Sequence, residues 1–572
     1  LASSGDKTVR GVTRVIGCVN TGAVKSGESR MATVPNNTMY AGGIVGYQYG
    51  GGTATYLVVS YCINTGDVTA ASDASYVLGY GNLPYAIITC NVLAGKLTST
   101  CFPEGVNANG SSVLNALFWN NASTLPEAYY SNNWVVDTFT GTLINNVAGT
   151  GAGTPVGMGD YAYRFQETDD PFEVMDTFIK EESPRDAEAT LITSADEFLA
   201  MSPIGNYKLA NDITLDAGYE ALFLGTFDGD NHTITLNGNA AFGRFCAGAV
   251  IRNVILAGTV SNDDTTGAIG RYGGATFINI RNTANVTAAK NAGGIIGSVA
   301  DNTARFENCV NTGTISTENG QNAGGICGYV NAFANRFVNC TNSGTVTAKT
   351  NAAGIAGYVG GGGNYTTFVN CTNNGEITGA NHTGGIVGEA QVQSANPMFD
   401  NCVNTGKIVA TNTVDKGAGG ICGYNGTNTI YMQNCYNSGE VTGRYAAGMV
   451  GDSAKGVQAT SCVNTGAVTS TNKGAAGMAN HHEDKGCTVM KFVQCVNTGK
   501  ISGKGSVGGI IGAGYAMANN TRFVCSNCIN IGEISGDGGV NVASLIGYAY
   551  AGGGVGTGID VQNCVAGGTV TT

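Results

Sequence analysis

Apolar and polar positions alternate along this chain in short runs that glycine and asparagine interrupt. Runs such as residues 336–338, 345–347 and 354–358 are rich in Val, Ile, Phe and Thr and have the length of β-strands. Gly and Asn between them are typical turn residues. No repeat contains an amphipathic stretch long enough for an ordinary helix. The pattern therefore predicts an all-β chain built from short strands.

Two sequence blocks recur in order along the second half of the chain. The first reads N-C-x-N-x-G-x-(I/V) and the second reads G-G-I-x-G. Spacings between successive cysteines of the first block are 31, 31, 31, 33, 27, 33, 33 and 36 residues. Self-similarity at such a period indicates a repeat architecture. These cysteines are Cys309, Cys340, Cys371, Cys402, Cys435, Cys462, Cys495, Cys528 and Cys564.

Strand-length runs at this period favour one repeat class over the others. Helical and leucine-rich solenoids need a helix in each repeat, and propeller blades need about 40–50 residues. The remaining solution is one coil per repeat, in which each strand pairs in parallel with its counterpart in the next coil. We therefore expect a right-handed parallel β-helix.

The first block also supplies regularly spaced turn residues. Asn and Gly tolerate positive φ, and stacked Asn amides can bond from coil to coil. We expect the residue after each turn glycine to face water and the Ile or Val after it to face the core. The Asn series includes Asn311, Asn342, Asn373 and Asn404, and the Gly series includes Gly313, Gly344, Gly375 and Gly406.

With these alternating blocks, the chain resembles the GLUG-motif repeats of bacterial cell-surface proteins. The resemblance covers residues 190–572 well and 15–100 loosely, and residues 192–234 read like the opening coils of such solenoids. It implies a parallel β-helix. It is weak for activity, because that group includes adhesin-like proteins and non-catalytic parts of IgA-cleaving metallopeptidases.

The repeats predict two β-helix arrays joined by an acidic helical linker. Residues 1–165 resemble the C-terminal portion of a β-helix, with a terminal cap near Trp119 and Trp134. Residues 166–190 form the linker, with one short helix. Residues 191–572 form a second β-helix of ten or more coils, with an N-terminal helix over 194–201 as its cap.

Net charge and cysteine spacing make some classes of function less plausible than others. The formal net charge is −12, so a nucleic-acid-binding role is disfavoured. No run of 18 apolar residues suggests a membrane span. The repeat cysteines recur at one coil position, where their Cβ vectors should be parallel, so we expect reduced, buried thiols rather than disulfides. An extracellular or cell-surface location is expected.

Some parallel β-helices are polysaccharide lyases or hydrolases, so carboxylate clusters need attention. One candidate group is Asp228, Asp230 and His232, although Asp228 with the following glycine favours a tight turn. The second candidate group is Asp263, Asp264 and Arg271, with the two carboxylates in a loop.

The histidine cluster is His481, His482, Glu483 and Asp484. It is a weak metal-site candidate, because no H-E-x-x-H pattern is present and a solvated loop is the simpler interpretation. We expect no catalytic residues, no resident metal and no cofactor.

The sequence favours a non-enzymatic extracellular stalk, fibre subunit or adhesin shaft. The alternatives are a carbohydrate-active β-helix enzyme and a glycan-binding adhesin. Open repeat faces at both ends suggest head-to-tail self-association: joining two copies would give a Cys564-to-Cys18 spacing of 26 residues, one short of the observed range. Environmental or host glycans are the other expected partners.

Overall fold

A computed structural model shows the chain as two compact units, Leu1–Ala187 and Glu188–Thr572. The only helix among the described residues is α1, Ala195–Leu199; the remaining regular structure is parallel β-sheet. The described residues are 2–3, 12–16, 18–26, 40–49, 56–60, 62–71, 74–82, 85–89, 91–100, 114–120, 127–131, 133–136, 142–146, 162–165, 189–203, 205–245, 249–299, 304–317, 320–331, 335–361, 366–392, 398–411, 417–481, 489–515, 522–537, 541–550 and 558–572.

The first unit is a stack of parallel strands. Its buried side chains include Leu57, Val59 and Ile88, which point into the coil. Its four sheets contain, in turn, Ala2–Ser3, Ala41–Gly42, Val45–Tyr49, Ala74–Ser75, Leu78–Asn82, Leu114–Asn120 and Thr142–Asn146; Val12–Ile16, Tyr56–Ser60, Tyr85–Thr89 and Glu127–Ser131; Val19–Asn20, Ile63–Asn64, Val92–Leu93, Asn133–Val136 and Ala162–Phe165; and Val24–Lys25, Val68–Ala70 and Leu97–Ser99.

The stretch predicted as a terminal cap adds strands to these sheets. Glu127–Ser131 pairs in parallel with Tyr85–Thr89, and Asn133–Val136 pairs with Val92–Leu93. It thus forms a further coil rather than a separate capping element. The helix predicted in the acidic linker lies outside the described residues.

The second unit is a parallel β-solenoid with three sheets. Sheet 1 has 14 strands, sheet 2 has 31 and sheet 3 has nine, with a two-stranded continuation. One coil shows the order: a sheet 1 strand, Arg336–Val338, is followed by three sheet 2 strands and then a sheet 3 strand, Ala356–Gly361. The predicted parallel solenoid is therefore confirmed.

The strands of the second unit have the following bounds. Sheet 1 contains Thr190–Ile192, Asn206–Leu209, Thr226–Asp228, Val250–Arg252, Thr276–Ile278, Arg305–Glu307, Arg336–Val338, Thr367–Val369, Met398–Asp400, Thr429–Gln433, Gly456–Thr460, Val489–Val493, Arg522–Ser526 and Gly558–Gln562. Sheet 3 contains Tyr219–Phe223, Phe242–Phe245, Gly270–Tyr272, Ile296–Val299, Cys327–Val330, Ala356–Gly361, Val387–Val392, Cys422–Asn425 and Val450–Ser453, continued by Ile511–Tyr515 and Ile546–Tyr550. Sheet 2 contains Ile213–Leu215, Thr233–Gly238, Ile255–Asn262, Thr265–Gly267, Arg281–Asn282, Asn285–Ala288, Asn291–Gly293, Val310–Asn311, Ile315–Thr317, Asn322–Gly324, Thr341–Asn342, Val346–Ala348, Asn351–Ala353, Thr372–Asn373, Ile377–Gly379, Thr383–Gly384, Val403–Asn404, Ile408–Ala410, Gly417–Gly419, Tyr436–Asn437, Val441–Ala447, Val463–Asn464, Val468–Ala476, Val496–Asn497, Ile501–Gly503, Ser506–Gly508, Ile529–Asn530, Ile534–Gly536, Val542–Ala543, Val565–Ala566 and Val570–Thr571.

A column of phenylalanines fills the core behind sheet 1. Phe306 and Phe337 stack with ring centroids 4.5 Å apart, and Phe337 and Phe368 with centroids 4.8 Å apart. These rings are fully buried. Offset or stacked aromatic pairs add to the free energy of burial itself. In-register repetition therefore turns one apolar position per coil into a continuous column.

Helix α1 covers the first coils of this unit. The Ser194 hydroxyl accepts from the Glu197 backbone N–H at 3.2 Å, as in a capping box, and the Glu197 carboxylate accepts from the N–H of Thr193, the residue before the N-cap, at 2.6 Å. Phe198 is fully buried and meets Phe227 and Phe242 edge to face. The helix is shorter than the predicted 194–201, but its packing matches the expected capping role.

The backbone of the turn differs from the sequence-based expectation. Positive φ occurs at the residue before each repeat cysteine, as at Asn339 with φ 53°, and not at Gly313 or Gly344. Those glycines are required for space: a Cβ on Gly344 would lie 2.0 Å from the Gly313 carbonyl oxygen of the preceding coil. The residues after the turn glycines are exposed and the Ile or Val after them is buried, as predicted.

Within the described residues, no helix is long and apolar enough to cross a membrane.

Candidate functional site

The repeat cysteines form a buried ladder of thiols. Cys340, Cys371 and Cys402 are fully buried and unpaired by disulfides. The Cys371 thiol donates to the carbonyl oxygen of Phe337 in the preceding coil at 3.6 Å, and Cys402 donates to Phe368 at 3.4 Å. The cysteines therefore act as small core residues that also join neighbouring coils.

Burial and neighbouring thiols shift the pKa values of the buried cysteines in both directions. Burial raises the pKa of Cys309 in the ladder well above its usual value, and it raises the pKa of Cys327, a sheet 3 residue outside the ladder, to about 12. In Cys371 and Cys435, hydrogen bonds from the neighbouring ladder thiols outweigh burial and lower the pKa. Since the thiolate is the nucleophile and the metal ligand, thiols held protonated do neither chemistry readily. Among the described residues, no group of three or more His, Cys, Asp or Glu side chains could hold a metal ion.

A second ladder is made of buried asparagine amides. Asn342 donates to Asn373, and Asn373 donates to Asn404, both at 2.8 Å. Such contacts, at 2.7–2.8 Å, run without a break from Asn282 to Asn530. Each amide from Asn282 to Asn497 also donates to the carbonyl two residues later, as Asn373 does to Gly375 at 2.9 Å, whereas Asn530 donates to the Ser544 hydroxyl. The amides thereby satisfy the turn of their own coil and hold it against the next.

The first carboxylate group predicted from the sequence does not converge. Asp228 accepts from the Asp230 N–H at 2.9 Å and pairs with Arg252 at 2.8 Å. Asp230 instead pairs with Lys208 at 3.0 Å. His232 Nδ1 lies 3.2 Å from the Asp212 carboxylate. These residues form the expected tight turn, and each side chain has a different structural partner.

The second carboxylate group is divided in the same way. Asp264 pairs with Lys290 at 2.7 Å and accepts a hydrogen bond from the Tyr272 hydroxyl. Hydrogen bonds from Lys290 and Tyr272 hold the pKa of Asp264 below its ordinary value. Arg271 pairs with Glu220 at 2.6 Å, while Asp263 is exposed. The ion-pair partner of Arg271 is therefore Glu220 and not Asp263 or Asp264, although Arg271 lies near enough to Asp264 to help lower its pKa.

The predicted metal-site candidate is only partly within the described residues. His481 is fully buried, and its backbone N–H donates to the Ala513 carbonyl at 2.8 Å. His482, Glu483 and Asp484 lie outside the described residues. His481 thus occupies a core position rather than the solvated loop expected from the sequence.

Sheet 3 presents a row of titratable side chains that sequence analysis missed. Tyr329, Tyr358, Glu389, Tyr424 and Asp452 are in register on five successive strands. Each follows the last glycine of a G-G-I-x-G block or its variant. The row could therefore have been found by comparing the residue at this position in successive blocks. We call these five residues the sheet 3 row.

Neighbouring side chains and burial determine the hydrogen bonds and pKa values of this row. Glu389 accepts from Asn351 at 2.7 Å and from Gln391 at 2.8 Å. Burial, with the nearby Tyr329 and Glu389, raises the pKa of Tyr358 to about 12, and burial likewise raises the pKa of Tyr424. A general base works best with a pKa near the operating pH, so these hydroxyls are poorly suited to that role.

A groove lies on the outer face of sheet 1. Its volume is about 530 Å³, within the roughly 300–1,000 Å³ range of small-ligand sites. It lies where the strands of sheet 1 lengthen from three residues, as in Met398–Asp400, to five. The groove is lined by Tyr431, Met432, Gln433, Gln458, Ala459, Thr460, Lys491 and Val493.

Register explains how the groove is built. Tyr431, Gln458 and Lys491 lie side by side on three adjacent strands. Gln433, Thr460 and Val493 form a parallel line two residues further along. Since alternate residues of a strand face opposite sides, both lines point away from the core. The sequence does contain a sign of these longer strands: apolar and polar residues alternate over a longer stretch after residue 429. That stretch lies outside the repeat blocks from which the elements were predicted.

Comparisons with known proteins add little beyond this geometry. No protein-family model and no curated protein matches the chain. A crystal structure described as that of a "putative immunoglobulin A1 protease from Bacteroides ovatus" aligns with 68% of this chain and 86% of its own, at 17% identity and a TM-score of 0.26. The parallel β-solenoid rests on the strand pairing of the chain itself.

Proposed function

We propose that the protein is a non-enzymatic structural solenoid that serves as an extracellular stalk, fibre subunit or adhesin shaft. The unbroken asparagine ladder is the observation that carries the proposal. It joins nine consecutive buried amides, from Asn282 to Asn530, in one direction along the coils. A chain of mutually satisfied buried amides resists the separation of any one coil from the next.

Other repeated contacts support the same role. Phe337 stacks on its neighbours in both directions, and the Cys371 thiol bonds to the preceding coil. Stacking 14 strands at about 4.8 Å gives sheet 1 a length of about 60 Å. Solenoid stability is a sum of repeat and nearest-neighbour terms, so uniform interfaces suit a load-bearing element.

The absence of catalysis is part of the proposal. Its support is that the Asp228 and Asp264 groups are occupied by ion pairs and do not converge. Robust turnover of pectin, alginate or a peptide substrate, abolished by Asp228→Ala or Asp264→Ala, would contradict it. Recovery of the native protein only from the cytosolic fraction of its source cells would contradict the extracellular location.

Single-molecule stretching of the full chain between its ends tests the mechanical role. We expect stepwise unravelling, because each coil interface repeats the same ladder contacts. A 31-residue coil should release roughly 100 Å of contour length, at about 3.3–3.6 Å per residue. Steps should therefore be multiples of one coil. Smooth extension at low force, without any such period, would show that the coil interfaces do not bear load.

We also propose that copies associate end to end. Its support is the coil interface itself, because each coil pairs in parallel with the next and a coil of a second copy can pair in the same way, giving a heterologous, non-closing contact. Electron microscopy at rising protein concentration should show fibres that disappear when Val565 and Val570 are changed to Asp. A monodisperse monomer at high concentration would contradict self-association.

A further inference from the structure

The groove on sheet 1 presents polar groups that the protein itself does not use. The side chains of Tyr431, Gln433, Gln458, Thr460 and Lys491 make no hydrogen bond or ion pair within the described part of the chain. Elsewhere on the surface, charged side chains of neighbouring coils are often paired, as Lys500 is with Glu533 at 3.0 Å. Uncommitted donors and acceptors that converge on one cleft are what a polar ligand requires.

An aromatic side chain lies at one end of the groove. Tyr431 is 41% exposed although it stands on a sheet surface beside other strands. A half-exposed tyrosine offers an apolar ring face and a polar hydroxyl at a low entropic cost. The apolar face of a sugar ring can stack on such a surface, while the amides of Gln433 and Gln458 reach its hydroxyl groups.

The opposite end of the groove is cationic. Lys491 lies two strands from Tyr431, about 10 Å away at the usual strand spacing. It is the only charged residue in the lining, in a chain whose net charge is −12. Exposed Arg522 stands on the next strand, whereas Asp400 lies beyond Gln433 at the other side. The charge distribution favours an anionic group at the Lys491 end.

We propose that this groove binds an acidic oligosaccharide, with a sugar ring on Tyr431 and a carboxylate at Lys491. Amides of Gln433 and Gln458 and the Thr460 hydroxyl hold the sugar hydroxyls between these two anchors. The binding site goes beyond the structural role of the solenoid. Loss of binding would leave the stretching behaviour unchanged, so the two proposals fail independently.

Isothermal titration calorimetry of the full chain tests the site. The probes are tetrasaccharides of galacturonate, mannuronate and hyaluronan, each beside its carboxyl-reduced, neutral counterpart. We expect at least one acidic probe to bind, its neutral counterpart to bind at least tenfold more weakly, and added salt to weaken the acidic complex. Failure of all three acidic probes, or equal binding of the neutral form, would overturn the proposal.

Substitutions in the groove test whether the oligosaccharide binds there. Tyr431→Ala should weaken binding of the acidic probe at least tenfold, and Lys491→Gln should remove the preference for the acidic over the neutral form. The matched controls are Tyr550→Ala and Lys407→Gln, which change exposed residues of the same types outside the groove. They should leave affinity unchanged. Circular dichroism should show all four variants folded; unaltered binding by Tyr431→Ala and Lys491→Gln would overturn the proposal.

Discussion

Phe337→Ala should destabilise the solenoid by about 3–5 kcal/mol, the usual cost of truncating a buried Phe. Phe337 is fully buried, and its ring stacks between Phe306 and Phe368. The truncation leaves a cavity that straddles two coil interfaces, and rigid ladders on either side limit its collapse. Urea unfolding measured by circular dichroism gives the loss of unfolding free energy, and hydrogen exchange shows which flanking coils are affected.

Because the cavity lies in the middle of the array, Phe337→Ala should also change the number of unfolding transitions. In a one-dimensional array each coil is coupled only to its neighbours. A weak interface in mid-array should therefore split one transition into two, with faster exchange on both sides of Phe337. Tyr431→Ala is the matched control, because it truncates an outward-facing aromatic ring of the same sheet. A loss below about 1 kcal/mol in Phe337→Ala would show that the phenylalanine column does not hold the coils together.

Asn373→Ala should cost about 2–6 kcal/mol, because two buried groups lose their partners at about 1–3 kcal/mol each. These groups are the Gly375 carbonyl oxygen and the Asn404 side-chain oxygen, which both accept from Asn373. Asn342 loses one acceptor but still donates to Gly344 at 2.9 Å. The same urea and hydrogen-exchange measurements apply.

Asn374→Ala is the control for the asparagine ladder. Asn374 is the next residue and has the same side chain, but it is exposed and its amide can bond to water. Its replacement should change the free energy of unfolding by no more than about 0.5 kcal/mol. Equal losses in the two variants would mean that the ladder contributes nothing beyond an ordinary surface amide.

The two ladders also explain why a repeat can vary in length. Coil spacings range from 27 to 36 residues, yet the cysteines and asparagines stay in register. Length differences fall in the loops between strands, within sheet 2 as well as between sheets, whereas the turn after sheet 1 keeps its spacing. A fixed turn with variable loops lets single coils gain or lose surface features, such as the groove, without disturbing the core.

The repeat pattern is enough to predict the solenoid. Period, strand length and turn chemistry predicted parallel coils, buried reduced cysteines and an asparagine ladder, because in-register stacking repeats each position of a coil along the axis. Exposure after each turn glycine and burial of the following Ile or Val were also predictable, since side chains alternate along a strand. Sequence pattern is therefore enough to predict burial and stacking wherever a residue contacts the equivalent residue of the next coil.

Contacts between different coil positions depend on the folded coils and could not be predicted from the repeat pattern. Positive φ falls on Asn339 and its equivalents, whereas turn glycines such as Gly344 are required because a carbonyl oxygen of the preceding coil occupies the space of a Cβ. The sheet 3 row and the groove bring together residues about 30 apart in sequence, and their partners depend on register and neighbouring loops. Sequence periodicity specifies which coil positions stack, but not which side chains from different positions meet across the surface.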